Sequence, residues 1–226
     1  MSFTTDVKKE LCGGDLSRRQ EKILLYGFLY CLKEQSSYFT ESADIKDFLR
    51  RTAGEAKVTF AQQQRLGKSG FLLDFTALDF DASNAYIDSS YVDGRDENTG
   101  LFLRGAFIAC GVVSDPNKEY HLEFSVGSSE KSEALRRLIN ESGMNIKSST
   151  RKGKSLLYTK DSEGISDILT FMGAMISSME IMNAKIYKDL RNNVNRKVNC
   201  ESANIEKTVS ASRKQLEDIE YIEEKV

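Results

Sequence analysis

Leu103-Arg104-Gly105-Ala106-Phe107-Ile108-Ala109-Cys110-Gly111 is the stretch on which the fold turns. It is apolar apart from Arg104, so it reads as a helix buried on most sides. Gly105 and Ala109 lie four residues apart, on one face of that helix. Small residues there let a second helix backbone come close. A glycine inside a helix costs roughly 1 kcal/mol relative to alanine, so its presence implies a packing reason. Leu25-Tyr26-Gly27-Phe28 supplies a matching small residue in an earlier helix, expected over 18–35 with Ser17 as N-cap. Gly27, Gly105 and Ala109 are therefore expected to form a helix–helix seam.

Working outward, each half of the chain opens with such a helix and continues with strand, amphipathic helix and paired strands. In the first half a strand is expected at 38–40, a helix at 43–51 and strands at 57–61 and 71–76, joined by a polar turn over 62–70. In the second half, Tyr120, Leu122, Phe124 and Val126 alternate with His121, Glu123 and Ser125, the pattern of a strand with one buried face. A helix follows at 130–142, ending before Gly143. A hairpin is expected over 145–149 and 155–159, and further helices at 163–172 and 175–190. Beyond position 203, Ile205, Val209, Leu216, Ile219 and Ile222 recur at helical spacing. With fewer than three clean heptads, that stripe is expected to pack within the protein rather than as a dimer seam.

The chain has 226 residues, 40% apolar and 29% charged, with a net charge of −2. This is ordinary globular composition for one large or two small domains. Its longest apolar run, 23–32, is about half of the roughly 20 residues needed to span a bilayer. No secretory signal is expected at the N-terminus, which lacks an apolar core behind its basic residues. Cys12, Cys31, Cys110 and Cys200 form no C-x-x-C pair and read as reduced thiols of a cytosolic protein. Charge is uneven: residues 145–214 hold 13 Lys or Arg against 7 Asp or Glu, which suggests a localised anionic partner.

Several chemistries are excluded by inspection. Gly67-Lys68-Ser69 looks like the tail of a phosphate-binding loop, but Gln62 stands where the first glycine is required. His121, the single histidine, has no cysteine or second histidine at metal-ligand spacing. Serine hydrolysis lacks a G-x-S-x-G motif to go with that histidine.

The stretch 103–111 resembles the LAGLIDADG signature of homing endonucleases, and the repeat order resembles their αββαββα units. The resemblance implies an α+β fold: two pseudo-symmetric LAGLIDADG homing-endonuclease-like repeats, the first shortened, followed by a helical connector. In that family the residue before the last glycine is a carboxylate, and one from each helix gathers the catalytic metals. Here Cys110 takes that place in the second helix, and Leu29 or Leu32, depending on register, in the first. No Asp or Glu occurs between Lys22 and Lys33, or between Thr99 and Ser114. Thiols and alkyl groups do not hold magnesium, a hard ion that takes oxygen ligands. No catalytic residue, metal or cofactor is therefore expected.

The run 102–107, Phe-Leu-Arg-Gly-Ala-Phe, and the run 114–123, Ser-Asp-Pro-Asn-Lys-Glu-Tyr-His-Leu-Glu, resemble the WhiA family of bacterial sporulation and cell-division regulators. So does 188–204, Lys-Asp-Leu-Arg-Asn-Asn-Val-Asn-Arg-Lys-Val-Asn-Cys-Glu-Ser-Ala-Asn, with Lys207-Thr208-Val209 after it. The resemblance covers nearly the whole chain, most closely from position 99. It implies a first repeat over 1–96, a second over 97–190, and over 191–226 a connector with the start of a C-terminal domain whose helix-turn-helix is missing. It also implies a transcription regulator in the cytoplasm, associated with the nucleoid, that binds double-stranded DNA without cutting it. No membrane and no small-molecule substrate are expected. Two sets of residues are candidates for DNA contact: Lys147, Arg151, Lys152 and Lys154 on the second hairpin, and Arg191, Asn195, Arg196 and Lys197 in the asparagine-rich run. Each set also reads as structure alone, a solvated basic turn and a connector whose asparagines cap helix ends. Glu123 facing the same side would repel phosphate. The alternative functions are a module docking another regulatory protein and a living metal-dependent nuclease.

Overall fold

The computed structural model describes residues 2–32, 36–78, 97–151 and 153–225. The chain divides into two compact units, Met1–Met182 and Asn183–Val226.

The first unit is α+β, with two antiparallel sheets and six helices among the described residues, besides the start of a seventh. Helix α1 (Phe3–Leu11) is not anticipated by the sequence pattern. Helix α2 (Arg18–Cys31) starts at Ser17, whose hydroxyl accepts from Gln20 N while the Gln20 side chain accepts from Ser17 N. This reciprocal cap satisfies two amides that a helix start otherwise leaves open. Strand β1 (Ser37–Thr40), helix α3 (Ala43–Ala53) and strands β2 (Thr59–Arg65) and β3 (Lys68–Asp74) complete the first repeat. Helix α3 buries Ile45, Phe48 and Leu49, the face its periodicity predicts.

The second repeat contains α4 (Glu97–Cys110), β4 (Gly111–Val113), β5 (Leu122–Val126), α5 (Ser129–Glu141), β6 (Lys147–Arg151) and β7 (Lys154–Thr159). Helix α6 (Ser162–Met172) follows, and Gly173 ends it in the left-handed region at φ 93°. Helix α7 (Met175–Glu223) then begins. The Glu10 carboxylate accepts from Ile176 N at 2.6 Å and Ser177 N at 3.0 Å, capping its first turn.

Strand order is β1-β3-β2 in one sheet and β4-β5-β7-β6 in the other. Superposing the orders matches β1 with β5, β2 with β6 and β3 with β7, leaving β4 without a counterpart among the described residues. Among the described residues the first sheet thus has three strands and the second four.

The two opening helices pack directly on each other, and glycine sets how closely. A Cβ built on Gly27 would overlap the Phe102 carbonyl, and one on Gly105 would overlap the Leu24 carbonyl and lie 2.8 Å from Phe28 N. The contact is therefore backbone on backbone. Phe28, Phe75, Phe102, Phe107 and Phe124 fill the core around it with no exposed area, Phe28 lying 5.1 Å from Phe75 and Phe107 lying 5.7 Å from Phe124 between ring centroids. Ala109 is partly buried against this core rather than enclosed in it.

Two sequence expectations need correction. The 62–70 segment is not a long polar turn. Strands β2 and β3 stay paired to Arg65↔Lys68, and the chain reverses at Leu66 and Gly67, with φ 51° and 78°. Two successive positive φ values make the tight hairpin reversal that suits strand twist, and Gly67 adopts it without strain. The exposed glutamines of β2 disguise the strand, because no apolar alternation marks it. Second, the helix expected to end at 190 continues to Glu223.

Candidate nucleic-acid interface

Strand parity decides which side chains leave the second sheet outward. Leu122, Phe124, Val126 and Leu157 are buried, so Glu123, Ser125, Leu156 and Tyr158 point the other way. Register carries that face across to the edge strand: Lys147 is opposite Tyr158, Ser149 opposite Leu156, and Arg151 opposite Lys154. Lys147, Arg151 and Lys154 therefore share one outward face. Lys152 lies outside the described residues. Lys160 lines the same open pocket as Lys147 and Tyr158 and adds a further ammonium.

His121 and Glu123 sit on this face too, joined by a 3.0 Å contact between Nε2 and Oε2. The His121 ring stacks on Tyr158 with centroids 6.1 Å apart. Glu123 is thus engaged by a neighbour instead of standing alone before an incoming phosphate. Sequence reading misses Tyr158 and Lys160; outward parity in β7 is the available signal for Tyr158.

The outward face of the first sheet carries Phe39, Ala61, Gln63, Arg65, Lys68 and Leu72 by the same parity rule. The Phe39 ring lies over Gly70, where a Cβ would come 2.6 Å from its Cζ, and Arg65 stands 6.0 Å from its centroid. Lys68 pairs with Glu41 at 2.8 Å. This basic and glutamine-bearing strand is hidden in the segment expected to be a turn.

At the end of the helix seam, the neighbouring Cys110 and burial push the Cys31 thiol pKa up. Nearby, Tyr38 donates to the Ile108 carbonyl at 2.9 Å, and Lys8 reaches the Tyr38 hydroxyl at 3.5 Å. Leu29 is buried and Leu32 caps α2 in extended geometry. Among the described residues, no group of three or more His, Cys, Asp or Glu converges on a metal-sized site.

Burial pushes the Lys8 amine down from 10.5 to about 8 and the Cys12 thiol up from 9.0 to about 12. Below pH 8 Lys8 is protonated in both folded and unfolded chains. Between about 8 and 10.5 the unfolded chain holds that proton and the folded chain does not, so stability rises with pH. Cys12 acts in the opposite sense above 9, where only the unfolded thiol ionises. The unfolding free energy from urea titrations is expected to climb from pH 8 to 9, by at most about 1.4 kcal/mol for one proton per pH unit, and to gain little beyond. Lys8→Met should abolish the climb; a flat wild-type profile would show the amine to be solvated.

In the second unit, Arg191, Asn195, Arg196 and Lys197 are all exposed on helix α7. At 3.6 residues per turn Arg191 and Asn195 share a face, whereas Arg196 and Lys197 point to two others. The set does not form one contact surface. Its asparagines, expected to cap helix ends, lie within a continuous helix.

Comparison with known proteins places these features. The WhiA LAGLIDADG-like domain model matches residues 99–191. A probable cell division protein WhiA from Ruminiclostridium cellulolyticum is 36% identical, over 99% of this chain and 80% of the relative. The chain belongs to the WhiA family. A second relative with that name, from Alkaliphilus metalliredigens, is 49% identical over 54% of this chain, and the match spans only 38% of the relative's length. Full-length DUF199/WhiA from Thermatoga maritima, a crystal structure, superposes with a TM-score of 0.68 at 19% identity, covering 93% of this chain and 75% of that one. This likeness shows the shared LAGLIDADG-like fold.

The WhiA C-terminal HTH domain model matches residues 194–226. This overturns the expectation that the helix-turn-helix is missing. The physical reason lies in the asparagines of 192–204: they favour turns and caps, so the run reads as a connector and the C-terminal domain as barely begun. In the structure these residues are helical.

Proposed function

We propose that this WhiA-family chain is a non-catalytic, DNA-binding transcription regulator of bacterial cell division and sporulation, working in the cytoplasm on the nucleoid without a cofactor. The observation that carries the reading is the gathering of Lys147, Arg151 and Lys154 on the outward face of the second sheet, in a chain that also matches a helix-turn-helix domain model. Three cations on one solvent-facing sheet suit the phosphates of a duplex. Tyr158 and Ser149, between them, offer hydroxyls for phosphate or base edges.

The same reading holds the chain inactive as a nuclease. Where active relatives of this fold place metal-gathering acids, this chain has Leu29 or Leu32 and Cys110, side chains ill-suited to magnesium. Supercoiled plasmid incubated with the protein and magnesium or manganese is expected to stay intact on agarose gels. Site-specific nicks that vanish on chelation would overturn the non-catalytic part. DNA binding itself is tested by fluorescence anisotropy on labelled duplexes: affinity is expected to fall as salt rises, and absence of binding at every salt concentration would sink the reading.

A further inference from the structure

We propose that the C-terminal part of helix α7 pairs with the same helix of a second copy of this chain, the two running antiparallel. Leu190, Val194, Val198, Ile205, Val209 and Leu216 are each more than half exposed. At 3.6 residues per turn they fall within an arc of about 100° on one side of the helix. Tyr187 and Ile219, also exposed, extend the stripe at its two ends, to a length of about 48 Å at 1.5 Å per residue. Val194, Ile205 and Leu216 recur every 11 residues, as do Tyr187, Val198 and Val209. Eleven residues are close to three turns, so the stripe runs nearly straight, and a search for heptads passes over it. A continuous apolar strip of this length on a solvated helix marks an interaction surface. The helix needs a cover for its own stability too. Asn192, Asn193, Asn195, Asn199 and Asn204 are poor helix formers, and helices draw most of their stability from packing an apolar face.

Charge and register single out a second copy in the reverse direction as the occupant. Residues 183–200 hold five Lys or Arg against one Asp, whereas 201–226 hold seven Asp or Glu against four Lys or Arg. A parallel pair would set like charge against like. An antiparallel pair lays the basic half of each helix beside the acidic half of the other. Register agrees with charge. Aligning Leu190 with Leu216 of the second copy brings Tyr187 opposite Ile219 and Val198 beside Val209, with Ile205 of both copies near the centre. Lys188 and Arg191 then flank the stripe on the same side as Glu217 and Glu220 at its other end, where the reversed helices bring them together. Cys200 projects away from the stripe, so the pairing needs no disulfide. The contact lies wholly within the second unit and stands apart from the DNA-binding reading.

Sedimentation equilibrium of the full chain under reducing conditions tests this. The expected species is a dimer of twice 25.4 kDa. Ile205→Asp combined with Val209→Asp should raise its dissociation constant at least about a hundredfold, because burying unpaired carboxylates is costly. Ser210→Asp, on the opposite side of the helix, should leave the dimer intact. Direction is read by disulfide trapping in a Cys200→Ser background, which does not depend on the double variant folding. Val194→Cys and Ser212→Cys face each other only if the helices run antiparallel. They should crosslink when the two variants are mixed, and neither should crosslink to itself. A stripe covered within one chain predicts a monomer at every concentration up to about 1 mM. That monomer, a dimer that survives the double Asp variant, or Ser212→Cys joined to its own copy would overturn the proposal.

Discussion

Gly105→Ala is expected to destabilise the fold by about 3 kcal/mol, at the upper end of overpacking costs, and Gly27→Ala by a similar amount. The sign is informative because two effects oppose each other. In an isolated helix alanine is favoured over glycine by roughly 1 kcal/mol, so a substitution judged on propensity alone should stabilise. At these positions the new methyl would run into backbone: the Phe102 carbonyl for Gly27, the Leu24 carbonyl for Gly105. A side chain could rotate away, but a carbonyl moves only if its helix moves, and the core phenylalanines on both helices move with it. Urea unfolding of each variant measures the change. Gly127→Ala serves as the control, since a methyl there would meet nothing within 4 Å, and it should shift stability by less than about 0.5 kcal/mol. If Gly105→Ala unfolds at the wild-type midpoint or later, the helices do not approach as described.

The second large effect concerns binding. With Lys147, Arg151 and Lys154 all changed to Ala, duplex affinity at ~0.15 M salt is expected to drop about a hundredfold. Each phosphate contact on B-DNA contributes roughly 0.9 to the slope of log affinity against log salt. Removing three contacts should thus flatten the slope by about 2.7, and the loss should be similar for every duplex tested, because phosphates carry no sequence information. All three side chains are exposed, two on the edge strand β6 and one at the first residue of β7, so folding is expected to be unaffected. Anisotropy titrations at four or five salt concentrations give both quantities. An unchanged slope would remove this sheet face from the interface and leave DNA contact to the region matched by the helix-turn-helix model.

What can be read in advance depends on whether burial leaves a trace in the residue pattern. The glycines of the opening helices do so, since a costly residue in an apolar helix signals a close neighbour. The alternation from Leu122 to Val126 does so too, because one face of β5 is buried and the other is not. Strand β2 leaves no such trace: every residue from Thr59 to Arg65 is exposed, and cross-strand hydrogen bonds to β3 hold it in place. Strand β4, three residues long, is too short for periodicity to show. Helix α7 looks shorter in sequence than it is because asparagine is a poor helix former, although the exposed run from Arg191 to Cys200 is helical throughout. At the candidate interface, charge alone points to the basic residues, but only register shows that Lys147, Arg151 and Lys154 emerge together while Arg196 and Lys197 diverge.

A seam made of main chain has no compliant side chains to deform. On the proposed reading, the distance between the two sheet faces is then fixed by the thickness of two peptide backbones, and the duplex must do the adjusting. Sites with easily kinked pyrimidine–purine steps at their centre should accordingly be preferred over stiff A-tracts, even at base pairs that no side chain touches.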